Sequence, residues 1–138
     1  MTFLGKSGTI ASRIINASYK CTLFNGGFKL DQDNQVLRQK LEKMAREGGA
    51  RLFGVADLRP ARDYLADIYG PDLIHLERGV VMAIPFPVGV INQLQDAPTH
   101  TYLYYYKIVN TSLDDLALKV ALFLQDEGYE AFPVPASQ

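Results

Sequence analysis

An apolar repeat through residues 99–127 limits the folds open to this chain more than any other part of its sequence. Apolar side chains recur there at intervals of three and four residues, the spacing that places them on one face of an α-helix. They are Tyr102, Tyr106, Val109, Leu113, Leu116, Val120 and Leu124. Gly128 follows and can end the helix in a left-handed conformation. The pattern predicts one long helix with a buried face, so another layer must cover that face.

A second helix is predicted over residues 35–47. Its apolar side chains share one face and are Val36, Leu37, Leu41, Met44 and Ala45. Asp33 or Asn34 can cap its start, and Gly48 with Gly49 can end it. This helix gives the domain a second amphipathic element that needs an apolar partner.

Two apolar runs of strand length lie between these helices. Residues 52–56 form the first run, and Pro60 then opens a predicted helix that continues to residue 69. Residues 79–84 form the second run, whose β-branched side chains are typical of a strand buried on both faces. We therefore expect residues 79–84 at the centre of a sheet.

Prolines set the limits of the sheet. Pro85 and Pro87 cannot donate ladder hydrogen bonds, so the chain should leave the sheet there and cross a loop to Pro98. Residues 131–135 are extended, and Pro133 restricts them to a sheet edge or to a position outside the ladder.

Alternating strands and helices predict an α/β or α+β layered domain over residues 33–138. Residues 1–32 read as a separate N-terminal extension of unassigned role, with one short helix over residues 9–19. The length and the 48% hydrophobic content suit a single folded domain rather than a disordered chain.

Charge and hydropathy exclude several partners. The net charge of −1 provides no broad positive field, so neither nucleic acid nor an anionic membrane surface is expected as a partner. No apolar stretch approaches the length of a membrane-spanning helix, and the start of the chain lacks the apolar core of a signal peptide. These features predict a cytoplasmic location.

The scarcity of metal-binding side chains excludes further chemistry. Cys21 is the only cysteine, so no internal disulfide and no cysteine-held iron–sulfur cluster is expected within this chain. With only His75 and His100 in addition, a structural zinc site is not expected. The sequence also lacks a phosphate-binding loop and a serine nucleophile elbow, so we assign no catalytic residue and no metal ligand.

Tyr102, Tyr106 and Asn110 form the one candidate binding surface. They fall on one helix face at i, i+4 and i+8. Flat rings with hydroxyl and amide groups suit a large planar ligand, which needs apolar walls and a few fixed hydrogen bonds. The alternative is that the two tyrosines begin the core stripe that continues through Leu113 and Val120.

Several stretches occur in the order found in one enzyme family. They are residues 48–58, residues 80–87, Pro98 and Thr99 leading into Tyr102, Tyr105, Tyr106 and Asn110, and finally residues 128–137. From Leu41 to Gln138 the chain thereby resembles the front part of the epoxyqueuosine reductase-like family, which is related to the corrinoid-dependent reductive dehalogenases.

The resemblance implies a nitroreductase-like α/β domain that contributes walls to a cobalamin pocket. It implies that Tyr102, Tyr106 and Asn110 face the corrinoid or substrate cavity, with Pro135 and Ser137 at its rim. In the family, a ferredoxin-like segment with two cysteine-ligated clusters follows and delivers electrons. The resemblance thus implies an incomplete domain that is not redox-competent alone.

One departure from the family concerns the reaction itself. The best-known members carry a proton-donating aspartate near the region that here reads Pro133-Val134-Pro135-Ala136-Ser137, which contains no carboxylate. This departure argues against epoxyqueuosine as the substrate and favours a less characterised branch of the family.

Two other functions stay open. The first is a cofactor-free module that associates with itself or with a partner through apolar surface left uncovered. The second is a small flavin-binding reductase, because related folds bind flavin.

Overall fold

The computed structural model describes residues 17–24 and 32–135, and within them the fold is a mixed α/β layer. The strands are β1 (Ala17–Phe24), β2 (Leu52–Asp57), β3 (Arg78–Pro85) and β4 (Ala131–Pro133). The α-helices are α1 (Gln32–Glu47), α2 (Arg62–Tyr69), α3 (Val88–Ile91) and α4 (His100–Asp126). The strands form one sheet in the order β2-β3-β1-β4, and each neighbouring pair is antiparallel.

The strand β3 lies inside the sheet, which confirms the prediction made for residues 79–84. It pairs with β2 on one side and with β1 on the other. Val80 and Met82 are fully buried in the main core, and Ala83, which points to the opposite face, is buried as well. Burial on both faces explains why this run carries apolar residues without polar alternation.

The strand β1 corrects the prediction for the start of the chain. The sequence predicts a helix over residues 9–19, but Ala17–Phe24 is a strand held between β3 and β4. The part of the predicted helix before Ala17 lies outside the described residues. Since β1 is an inner strand, the segment assigned to a separate extension over residues 1–32 contributes directly to the sheet.

The long helix α4 covers the sheet, as the apolar repeat predicts. The backbone N–H of Tyr102 donates to the Thr99 hydroxyl at 3.1 Å, so Thr99 caps the helix. Gly128 has φ 90° just beyond the helix, a conformation that glycine adopts without strain. The helix packs mainly against β1 and β4, and the buried Thr22 hydroxyl donates to the Ala117 carbonyl at 3.5 Å.

The helix α1 packs beside α4 and adds Leu41 and Ala45 to the main core. It begins at Gln32, so Asp33 and Asn34 lie in its first turn and not at its N-cap. Gly49, with φ 93°, follows the end of the helix as predicted. Lys40 of α1 reaches Glu127 after α4 at 3.0 Å, and this exposed ion pair joins the two helices.

The connecting segments at Pro60 and Pro133 have the structure that the sequence predicts, and the segment after Pro87 differs from the prediction by one short helix. A 3-10 turn at Arg59–Ala61 contains Pro60 and leads into α2, which has no buried residue. The predicted loop after Pro87 contains the short helix α3, whose Val90 is buried. Pro133 lies in β4 at the edge of the sheet, as predicted. Within the described ranges, no helix is long and apolar enough to cross a membrane.

Candidate functional site

Three aromatic rings meet where β3 ends and α4 begins. Phe86 directly follows β3 and is only 8% exposed. Its ring stacks on Tyr102, with centroids 5.4 Å apart and an interplanar angle of 17°, and lies 6.4 Å from the ring of Tyr106. The two tyrosine rings are 6.2 Å apart. We call these three residues the ring cluster.

The tyrosines of the ring cluster are half-buried and pack against the main core. The core-stripe alternative is therefore partly correct, because Phe86 and the core cover one side of these rings. Both tyrosines nevertheless keep partial exposure, so the ring cluster is not wholly buried. Stacked rings with fixed neighbours form a rigid surface for a flat ligand.

Asn110 follows Tyr106 by one helical turn, and it is only 9% exposed. Its side-chain Nδ2 atom is buried and has no hydrogen-bond partner within the described part of the chain. Leaving a buried donor unpaired costs about 1–3 kcal/mol, so proteins rarely keep one without a use. Asn110 is therefore a buried polar residue next to the ring cluster, and no described hydrogen bond offsets the burial of its amide nitrogen.

The rim position that the resemblance implies for Pro135 and Ser137 stays a prediction. Pro135 is exposed and follows Val134, which packs with Leu76 in a second apolar cluster separate from the main core. Ser137 lies outside the described residues.

Sequence reasoning named both tyrosines and Asn110 but did not single out Phe86. Phe86 lies between Pro85 and Pro87, in a segment that was read as the exit from the sheet and as part of the family resemblance, without a role for its ring. The available signal was the large apolar side chain itself, since a phenylalanine between two prolines outside a strand must still be buried somewhere.

A polar cluster occupies the other end of β3, where Arg78 is buried. Its guanidinium lies 3.5 Å from an Asp57 oxygen across the β2–β3 pair. Asp57 also accepts two hydrogen bonds from Arg59 Nε, at 3.0 and 3.1 Å, and one from Arg59 Nη2 at 2.6 Å. These contacts give the buried Arg78 a countercharge and fix the turn after β2.

The pKa of Asp57 is lowered to about 2, chiefly by hydrogen bonds from the Arg59 side chain and backbone N–H and then by the charges of Arg59 and Arg78. A depressed folded-state pKa stabilises the fold above the unfolded value near 4, and this contribution disappears as the pH falls through about 2. We expect Arg59→Gln to raise the Asp57 pKa toward its ordinary value of 3.8, measured by NMR titration of the carboxyl carbon.

The matched control for this titration is Arg62→Gln. Arg62 pairs with Glu77 at 3.3 Å and belongs to the neighbouring helix α2. The Arg62→Gln variant should leave the titration midpoint of the Asp57 carboxyl group unchanged. Equal midpoints in the wild type and in Arg59→Gln would show that Arg59 does not hold the carboxylate.

Among the described residues, no group of three or more histidine, cysteine or acidic side chains lies close enough to hold a metal ion. No protein-family model, curated protein or solved structure matches the chain. The ring cluster with Asn110 is therefore the candidate site on physical grounds, through its stacked rings and a buried amide nitrogen that no described residue pairs with.

Proposed function

We propose that this chain forms one wall of the cofactor and substrate pocket of a cobalamin-dependent, iron–sulfur reductase, and that it is not redox-competent alone. The proposal combines the resemblance to the epoxyqueuosine reductase-like family with the geometry of the ring cluster. It includes a nitroreductase-like assignment for the α/β layer. The observation that carries it is the buried Nδ2 of Asn110, which has no hydrogen-bond partner among the described residues and lies on the same face of α4 as Tyr102 and Tyr106.

These residues fit the chemistry of a corrinoid. The macrocycle is broad and largely apolar, and amide groups line its periphery. The half-buried rings of Tyr102 and Tyr106 would contact its apolar surface, and the Asn110 amide would donate to a peripheral carbonyl. When bound, the cofactor supplies a cobalt centre that passes electrons to a substrate.

The residues of this chain contribute binding and orientation to that chemistry. Phe86 holds both tyrosine rings by stacking, so their positions are set before a ligand arrives. Because Asn110 is largely covered, a ligand reaches its amide only when a neighbouring side chain moves. Binding should then relieve the cost of the unpaired donor, which adds to the affinity for a ligand with an acceptor at that place.

Titration with hydroxocobalamin tests the proposal through the corrin absorption bands and through tyrosine fluorescence, which no tryptophan obscures. We expect a saturable change in both signals and a dissociation constant raised about tenfold by Tyr102→Leu, as loss of an aromatic anchor implies. The matched control is Tyr104→Leu, because Tyr104 is 64% exposed and lies outside the ring cluster. No change at about 1 mM ligand, or equal weakening by both variants, would contradict the proposal.

A parallel titration with flavin mononucleotide separates the flavin-binding alternative from the corrinoid proposal. Saturable flavin binding that Tyr102→Leu weakens, together with no response to hydroxocobalamin, would assign the ring cluster to flavin. The measurement uses the same variants and the same fluorescence signal.

Asn110→Leu is expected to stabilise the fold by about 1–3 kcal/mol, because an apolar group of similar size replaces a buried donor that has no partner in the described part of the chain. The same substitution should abolish the contribution of the amide to ligand binding, which is the usual opposition between stability and function at a site. Urea unfolding measures the first effect and the hydroxocobalamin titration the second. A loss of stability in Asn110→Leu would show that the amide is already satisfied in the fold.

A further inference from the structure

The side of α4 that faces away from the sheet carries a second stripe, with apolar residues at both ends and two polar residues between them. Its members recur at intervals of four and three residues and are exposed along the whole helix. They are Tyr104, Ile108, Thr111, Asp115, Leu118 and Leu122. We call these six residues the outer stripe. The four-three spacing is that of the contact positions in paired helices, and here it lies directly opposite the buried face.

The exposure of the outer stripe needs an explanation. Tyr104, Leu118 and Leu122 are each at least half exposed, and Ile108 is 41% exposed. Single exposed apolar residues are common, but four of them on one helix face over about 27 Å favour an interaction surface. Thr111 and Asp115 interrupt the row at its middle with two polar side chains.

We propose that the occupant of the outer stripe is a second copy of this chain, whose α4 packs antiparallel across a twofold axis that passes between Thr111 and Asp115. This arrangement is independent of the proposed cofactor site, because that site lies on the inner face of α4. The order of residues in the stripe is self-complementary under such a reversal. Tyr104 then faces Leu122 of the second copy, and Ile108 faces its Leu118.

The polar residues also match under this reversal. Thr111 faces Asp115 of the second copy, and its hydroxyl can donate to that carboxylate. In a parallel pairing, each Asp115 would instead face the same carboxylate of the second copy, which is unfavourable. The antiparallel arrangement also places Lys119 of one copy beside Tyr105 of the other, where a cation can lie on an aromatic ring.

The size of the outer stripe sets the strength expected of the dimer. One helix face of about 27 Å buries less than the roughly 800 Å² per partner of a standard interface. The dimer should therefore be weak and depend on concentration. Sedimentation velocity of the full chain over a dilution series up to about 1 mM measures it directly.

Charge variants test both the surface and the orientation. Ile108→Glu and Leu118→Lys should each raise the dimer dissociation constant about tenfold or more, since each places a charge against an apolar side chain. An equimolar mixture of the two should restore association, because Glu at 108 of one chain then faces Lys at 118 of the other. A mixture of Ile108→Glu with Leu118→Glu should not restore association, because two glutamates then face each other.

Leu103→Glu is the matched control on the same helix. Leu103 is an exposed leucine that lies outside the outer stripe, so this variant should dimerise like the wild type. Circular dichroism checks that each variant keeps its fold. A wild type that stays monomeric throughout the dilution series would overturn the proposal, as would equal weakening by Leu103→Glu or a mixture that fails to restore association.

Discussion

Replacing Phe86 with Ala is expected to lower the free energy of unfolding by about 3–5 kcal/mol, the range for removing a buried aromatic side chain. Phe86 is buried between the end of β3 and the start of α4. The variant loses this buried area and leaves Tyr102 and Tyr106 without the ring on which both stack. Urea unfolding measures the loss, and near-ultraviolet circular dichroism should show weaker tyrosine signals because these rings lose their fixed packing.

Phe132→Ala is the matched control for this variant. Phe132 lies in the edge strand β4 and is 37% exposed, so its truncation removes less buried area. We expect Phe132→Ala to cost well under half as much as Phe86→Ala. Similar losses in the two variants would mean that Phe86 does not organise the ring cluster.

Leu113→Ala is expected to cost about 2–5 kcal/mol of stability. Leu113 has no exposed surface and lies at the centre of the buried face of α4, where it joins the helix to the main core. Removing its side chain leaves a cavity that the surrounding sheet and helices cannot fully close. Urea unfolding at low protein concentration measures this loss without a contribution from association.

The same substitution on the opposite face of α4 provides the control. Leu118 is 50% exposed, so Leu118→Ala should change the stability by less than about 1 kcal/mol. This pair compares one residue type in one helix and varies only burial. Equal effects in the two variants would show that the face assigned to the core is wrong.

The sequence predicts the elements whose signals are local. The apolar repeat of α4 is visible along the chain because each member needs only its neighbours at three and four residues. The strand β3 is visible for a similar reason, since burial on both faces leaves a continuous apolar run. Thr99 and Gly128 mark the two ends of α4 through the chemistry of helix capping.

The strand β1 was missed although its sequence carries a local signal. In ASYKCTLF, apolar and polar residues alternate over residues 17–23, which is the period of a strand. Its strand conformation depends on ladders to β3 and β4, which are distant in sequence. The helix predicted over residues 9–19 includes only residues 17–19 of this strand, and residues 20–24 were assigned to no element.

The residues of the candidate site divide into those that share one helix and those that meet only in the folded chain. Tyr102, Tyr106 and Asn110 were found because they share one helix, so their spacing alone places them on one face. Phe86 was missed because its ring partners are distant in sequence and belong to a different element. The pairing of Asp57 with the buried Arg78 likewise depends on the register between β2 and β3, which no local pattern encodes.

The side-chain amide of Asn110 gives the most direct test of the central claim, that this buried donor exists to bind a ligand. Its Nδ2 hydrogens give a pair of peaks in a nitrogen–proton correlation spectrum, which can be assigned by comparison with Asn110→Leu. During titration with hydroxocobalamin, we expect these peaks to shift with the same dissociation constant as the corrin absorption bands. Peaks that keep their positions while the corrin bands saturate, or that never move at about 1 mM ligand, would contradict the account.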